Sequence, residues 1–390
     1  MKILLASTSS GSRGGGELYL LYLARALAQR GHEVALWCAA HPRMDELAAL
    51  FAPIGLVHRS DYRNTYDYRL RSVSSFLNFR AASRIAHEWR ELAPDLLHVN
   101  KQNLEDGLDL LRAAARTRLP AVATIHLTQT ARYLRAVMAG LRDFVARRAL
   151  KAWRWPMVCV LPERERDLRA FVGARDDISA IPNGVELYDL AQRPASRASK
   201  RAELGIGENE ILFSAVGRLV PQKRPLVFLE LAARIHARLP QARFVWVGDG
   251  ALAPEWDAWV ARRGLGAIIR RTGWQKHVRD FLFATDVFLH TAEFEGLPLA
   301  ILEALSAGLP CAITPNLLAE MPFLNDGNSI AIGDSRDSGK SDDWAAILGD
   351  PARLAALGAK ARRLAEEQFS FEIMAARYEA LYQSVLAPRR

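Results

Sequence analysis

Three cysteines, Cys38, Cys159 and Cys311, are all that 390 residues supply. Each lies in an apolar run (VALWC, MVCVL, PCAI), and they are too far apart for a zinc-ligand pattern, so they are expected to be reduced and buried in strands. No apolar run approaches the roughly 18 residues needed to cross a bilayer. The opening MKILLAS gives way to Ser and Gly before a signal-peptide core can form, so a cytoplasmic protein is expected. Neither a D-x-D pair nor a His-Glu cluster stands at a strand end, and no metal site or cofactor is indicated. The G-x-G-x-x-G spacing is also missing; position 19 is Tyr and the second strand ends in Trp37-Cys-Ala-Ala without an acid for a ribose, which argues against a dinucleotide site. Internal repeats and low-complexity tracts are absent.

What is present is a chain too long for one core to keep growing, which predicts two domains and a cleft. Half the residues are hydrophobic and 24% are charged, as in compact globular proteins. The formal charge of +9 is uneven, because residues 1–190 hold 27 Lys/Arg against 20 Asp/Glu. That asymmetry suits an anionic surface or substrate, and equally an arginine-rich compositional bias.

Apolar runs bounded by turn residues alternate with amphipathic segments, the rhythm of βα units around parallel sheets. Strands are expected at Lys2–Ala6, Glu33–Cys38, Leu96–Val99, Ala121–Ile125 and Val158–Leu161, with a helix Glu17–Arg30 capped by Gly31. They form a first doubly wound domain, 1–187. A polar stretch, 188–208, reads as a linker with a short helix. Strands resume at Ile211–Val216, Phe244–Val247, Val287–His290 and Cys311–Thr314, giving a second domain of the same α/β class, 209–370. Helices follow, one with an apolar stripe of Leu354, Leu357, Ala361 and Leu364 that serves as packing surface. A final helix, 371–390, is expected to pack back on the first domain.

The segment Glu295-Gly-Leu-Pro-Leu-Ala-Ile-Leu-Glu303 follows the strand VFLH. It sets one carboxylate in a strand-to-helix turn and another in the helix. Pro298 suits a first helical turn and Gly296 permits close backbone approach. Carboxylates so placed can accept hydrogen bonds from the hydroxyls of a sugar or a ribose, or can merely decorate a helix.

This segment resembles the E-x7-E signature of the retaining GT4 glycosyltransferases, which have the GT-B fold of two Rossmann-like domains. Val216-Gly-Arg-Leu-Val-Pro-Gln-Lys223 resembles the family's diphosphate-binding loop, and Val247-Gly-Asp-Gly250, Pro182-Asn-Gly-Val185, Gly14-Gly-Gly-Glu17 and Gly31-His-Glu-Val34 match further motifs. The similarity runs from residue 1 to about 385. It implies a nucleoside-diphosphate sugar donor and a sugar or lipid-linked acceptor, in polysaccharide, lipopolysaccharide or glycolipid synthesis, with no nucleic acid and no metal. Glu295 and His126, which closes the strand AVATI, would hold the transferred sugar. Arg218 and Lys223 would hold the diphosphate, Glu303 the ribose, and Gly15, Gly16, Gly296 and Leu297 would line the donor. Fixed cations beside a leaving diphosphate stabilise the charge that develops there. The same architecture also serves a nucleotide-sugar epimerase or a non-catalytic binding module.

Two departures stand out. Leu161-Pro162 replaces a common Ser, and Asn316-Leu-Leu-Ala-Glu320 replaces G-G-x-x-E, leaving the donor sugar open. Trp274 could stack on a base or serve as packing. The segment 132–155 has seven cations against the single acid Asp143, interleaved with apolar and aromatic residues. It reads either as a helix lying in an anionic membrane surface or as an ordinary helix packed on the sheet.

Overall fold

The computed structural model describes residues 1–8, 14–65, 68–173, 175–333 and 344–387. The chain forms two compact units: residues 1–184 with 371–390, and residues 185–370. The break expected after residue 187 thus falls three residues earlier.

The first unit is built on seven parallel strands: β1 (Lys2–Ser7), β2 (Glu33–Ala39), β3 (Leu56–Ser60), β4 (Leu96–Lys101), β5 (Ala121–Ile125), β6 (Met157–Cys159) and β7 (Ile178–Ala180). Their order across the sheet is β3-β2-β1-β4-β5-β6-β7. Ile3, Leu4, Leu5 and Ala6 are all buried, as a central strand covered on both faces requires. Expected as Val158–Leu161, β6 ends two residues sooner because Leu161 and Pro162 open the helix Pro162–Val172, where proline takes the first position.

The last helix, Phe371–Leu386, completes this unit's core. His98 joins Tyr382 through Nδ1 (2.6 Å) and Thr124 through Nε2 (2.8 Å), and Thr124 also meets the Tyr378 hydroxyl at 2.8 Å. Phe371 stacks on Tyr22, and Glu379 pairs with Arg30 and His32 at the rim. A buried network in which every member is satisfied fixes one packing of the helix.

Six parallel strands make the second sheet: β8 (Ile211–Val216), β9 (Ala242–Val247), β10 (Ile269–Arg271), β11 (Val287–His290), β12 (Cys311–Ile313) and β13 (Ser329–Ala331). They run in the order β10-β9-β8-β11-β12-β13. Phe213 stacks on Phe244 and the Phe228 edge meets Trp246, forming an aromatic core. Within residues 188–208 the helix Arg193–Leu204 packs on the helix Val278–Ala284 and is part of this unit. Its polar composition, which suggested a linker, has a structural use. Arg197 and Arg201 reach Asp286 at 2.6 and 3.0 Å, and Arg201 also donates to the Gly207 and Glu210 carbonyls. All three cysteines are free and buried in strands. Burial pushes the Cys38 thiol up to about 11.

Candidate functional site

Ligands of doubly wound sheets bind at the carboxyl ends of strands where the strand order reverses. In the second unit that point lies between β8 and β11, and the loops following those strands carry Lys223 and Glu295. The Lys223 ammonium donates to Glu295 Oε1, with the two side chains 17% and 8% exposed. The loops are stitched together around the pair: Gln222 Nε2 donates to the Phe294 carbonyl at 3.1 Å, the Glu293 N–H to the Gln222 carbonyl at 2.8 Å, and the Thr291 hydroxyl to the Lys223 carbonyl at 3.1 Å. His290 Nε2 lies 3.3 Å from Glu295 Oε1. Burial alone would raise the Glu295 pKa, but Lys223 and the neighbouring His290 outweigh it and bring it to about 2. Glu295 is therefore an anion at neutral pH, an acceptor of hydrogen bonds rather than a proton donor.

Arg218 is exposed just beyond β8, on a loop held from the side of β9. The Trp246 indole donates to the Gly217 carbonyl at 2.8 Å, and the Leu219 N–H donates to the Asp249 carbonyl at 2.9 Å. Gly248 has φ +141°, and a Cβ there would collide with the Gly217 carbonyl, so the two loops approach as closely as they do because a glycine separates them. A cation on a braced loop loses little freedom when it meets a phosphate.

Glu303 is buried, on the helix Leu299–Ser306. Pro298 sits one position earlier than expected, at the N-cap with extended backbone, and no side chain caps the helix. Gly296 and Leu297 lie buried in the turn before it. Asn316, at the departure from G-G-x-x-E, donates to the Glu293 carbonyl at 2.7 Å, so a side chain here supports the loop that carries Glu295.

In the first unit the strand order reverses between β1 and β4. Gly15 and Gly16 open the helix Gly15–Gln29 immediately after this edge, two residues before the expected start. A Cβ on Gly16 would overlap the Gln102 carboxamide, so Gly16 lets the loop after β4 close on the helix start. His126 follows β5. Asn100 donates its Nδ2 to the Gly16 carbonyl at 3.1 Å, which turns its Oδ1 toward His126; His126 Nε2 donates to that oxygen at 2.8 Å. Tyr19 packs its edge on the imidazole, 4.8 Å between centroids. Burial lowers the His126 pKa to about 4, so the ring is neutral and its Nδ1 is an acceptor at neutral pH.

The structure thus brings Lys223 and Glu295 into contact, with Arg218 on the loop after β8 and Glu303 on the helix after the Glu295 turn, and in the first unit it links His126 through Asn100 to Gly16, beside Gly15. Sequence reading missed Gln222, His290, Asn100 and Gln102, although His290 ends the strand VFLH and Asn100 is the penultimate residue of LLHVNK. Trp274 is 56% exposed after Gly273. No group of three or more His, Cys, Asp or Glu side chains suited to a metal occurs among the described residues.

Two family models match this chain: Glycosyltransferase Family 4 over residues 13–188 and Glycosyl transferases group 1 over residues 196–363. An Escherichia coli UDP-Gal:alpha-D-GlcNAc-diphosphoundecaprenol alpha-1,3-galactosyltransferase is 39% identical over 164 residues, 40% of this chain and 42% of that enzyme. The match thus spans less than half the length of that relative. A Rhodococcus jostii D-inositol 3-phosphate glycosyltransferase is 28% identical over 94% of this chain and 84% of its own. Among solved structures, Anabaena Alr3699/HepE in complex with UDP and glucose superposes with a TM-score of 0.75 at 19% identity, covering 98% of this chain and all of that one. Two parallel doubly wound sheets, the clusters at their switch points and family models that abut along nearly the whole sequence lead to one assignment: the chain belongs to the GT4-type glycosyltransferases of GT-B fold.

Proposed function

We propose that this enzyme transfers a sugar, with retention of anomeric configuration, from a uridine-diphosphate donor to a phosphorylated or lipid-linked acceptor of the cell envelope. The observation that carries the reading is the buried Lys223–Glu295 pair at the switch point of the second sheet, with the exposed Arg218 on the adjoining loop. A nucleoside diphosphate needs fixed positive charge, and a sugar needs an ionised carboxylate that accepts from its hydroxyls. Uridine is favoured because HepE is seen with UDP and the E. coli relative is named for a UDP-galactose donor. The acceptor class follows the names of two relatives, a diphosphoundecaprenol-linked sugar and an inositol phosphate.

In this reading Arg218 and Lys223 bind the diphosphate, Glu303 takes the ribose hydroxyls, and Gly296 and Leu297 present backbone to the donor. Glu295 accepts from hydroxyls of the transferred sugar. His126, neutral and oriented by Asn100, accepts a further hydroxyl through Nδ1, while Gly15 and Gly16 leave room beside it. The bond from the anomeric carbon to the β-phosphate oxygen breaks, the acceptor oxygen bonds to the same face of that carbon, and its proton passes to the departing phosphate oxygen. Developing charge on that phosphate is met by Arg218 and Lys223, so no metal is required. The enzyme works in the cytoplasm on acceptors presented at the inner face of the membrane.

A thermal-shift screen of nucleoside-diphosphate sugars tests the donor, because a ligand at 100 times its Kd stabilises by about 2.7 kcal/mol. NMR of the product tests retention. Indifference to every uridine nucleotide, or an inverted product, overturns the reading; conversion of the sugar without transfer supports the epimerase instead.

A further inference from the structure

Ten large hydrophobic side chains are exposed among the described residues, and six of them, Tyr133, Leu134, Val137, Met138, Leu141 and Phe144, fall within twelve consecutive positions. Two more are Leu77, the last residue of the helix Arg71–Leu77, which packs against the helix Ala139–Ala152, and Phe79, which opens the next helix, Phe79–Glu91. Scattered exposed apolar residues need no explanation, but six of ten within twelve consecutive positions do.

The cluster is a built feature. The chain enters the helix through a compact loop in which Arg135 and Met138 both adopt left-handed backbone, at φ 51° and 54°, a conformation rare outside glycine. Asp143 holds the loop on the helix by accepting from the Ala131 and Arg132 N–H groups at 2.7 and 3.2 Å. That leaves the only acid of the segment engaged.

Charge says what covers the patch. The helix face that carries Leu141 and Phe144 continues into exposed Arg148 and Lys151, and Arg132 and Arg135 are exposed beside the apolar tip. The sequence reading of residues 132–155 is narrowed by the structure. Arg142 is buried in a two-pronged pair with Glu105, at 2.7 Å for each contact, and Trp153 is buried, so neither contributes. What remains is an apolar projection flanked by cations, complementary to a surface whose phosphates lie just above its acyl chains.

The geometry points to a membrane-docking site: the loop and first helical turn, Arg132–Phe144, insert Leu134, Val137, Met138 and Phe144 into an anionic bilayer interface while Arg148 and Lys151 meet lipid phosphates. This extends the acceptor half of the proposed function. It is read by binding alone, without donor or turnover, so that either can fail without the other.

The experiment is vesicle flotation of the full chain with phosphatidylglycerol/phosphatidylcholine vesicles and with phosphatidylcholine alone, at low and high salt. Partitioning onto anionic vesicles is expected to exceed that onto neutral ones at least about tenfold and to fall at high salt. The double variants Leu134→Asp with Phe144→Asp, and Arg148→Glu with Lys151→Glu, should each lose about tenfold or more. Trp274→Ser, which removes an exposed aromatic of the second unit, should bind as wild type. Unchanged thermal melts and unchanged circular dichroism show that the variants remain folded. Absence of wild-type binding, or binding indifferent to Leu134→Asp with Phe144→Asp, overturns the proposal. So does a dimer in sedimentation velocity that those two substitutions dissociate while vesicles go unbound, since the patch would then be covered by a second copy.

Discussion

The Lys223 ammonium and the Glu295 carboxylate, 72 positions apart in sequence, neutralise each other inside the second unit. Removing one partner strands the other as a buried charge. The pair therefore belongs to the stability of the free enzyme as well as to its proposed donor site.

Glu295→Gln should lower turnover by about a hundredfold or more, because a neutral amide accepts less strongly from sugar hydroxyls. Its stability effect should depend on pH. Glu295 is held at about 2 in the folded chain against an ordinary 4.5, so its contribution, on the order of 3 kcal/mol, is complete above pH 4.5 and lost as pH falls toward 2. The difference in Tm between wild type and Glu295→Gln should close over that interval. A gap that stays constant to pH 2.5 would rule out the ion pair as its source.

Arg218→Ala and Glu303→Ala should each remove most activity, roughly a hundredfold in kcat/KM, while leaving Tm nearly unchanged for Arg218, whose side chain is exposed. Steady-state kinetics with a matched donor checks both. Wild-type rates in either variant would displace that residue from the donor site.

Turnover should survive EDTA if, as proposed, Arg218 and Lys223 supply the positive charge that a divalent ion supplies elsewhere. Assay after exhaustive chelation is the measurement. Complete loss restored by magnesium would contradict the arrangement.

Acid should loosen the first unit at a pH set by histidines. Burial lowers His98 to about 3 and His126 to about 4, from an ordinary 6.5. An unfolded chain binds those protons more readily, so stability is full above pH 6.5 and falls as pH drops through the interval from 6.5 to the folded values. NMR titration of the two imidazoles should find both neutral at pH 6. A midpoint near 6.5 for His126 would free it to act as a general base and would overturn the acceptor role given to Nδ1.

Gly248→Ala should destabilise the second unit by about 1–3 kcal/mol, since it forces a side chain into a left-handed conformation against the Gly217 carbonyl. Chemical denaturation measures it, and a neutral outcome would show that the loop after β8 yields.

The strands that sequence reading located are those buried on both faces, where a run such as KILLA or VFLH leaves no other interpretation. Those it missed are at or near the sheet edges or only three residues long. β3, LVHRS, is half exposed, and β7, β10 and β13 offer no period to count. The helix Arg193–Leu204 reads in sequence as a short helix in a linker and not as part of the second unit, because arginines that look solvated satisfy carbonyls and Asp286 more than 80 positions away. The same nonlocality hid Gln222 and Asn100, which act by steering neighbours that only the fold supplies. Glu295, Glu303, Arg218 and Lys223 could be proposed from the sequence because each lies within a contiguous motif. Residues 132–155 were legible as basic and apolar, but which side chains face outward was not: Arg142 and Trp153 turn inward.

The return of the helix Phe371–Leu386 to the first unit also dictates an order of events during synthesis. The second unit is one unbroken stretch, residues 185–370, and all of it is made before the helix that completes the first unit. The first unit cannot close early: Tyr378 and Tyr382, both fully buried in it, are made only after the whole of the second unit. Translation therefore supplies the whole of the second unit first, and the amino-terminal stretch waits, with its His98 site unfilled, until the helix that follows has been made.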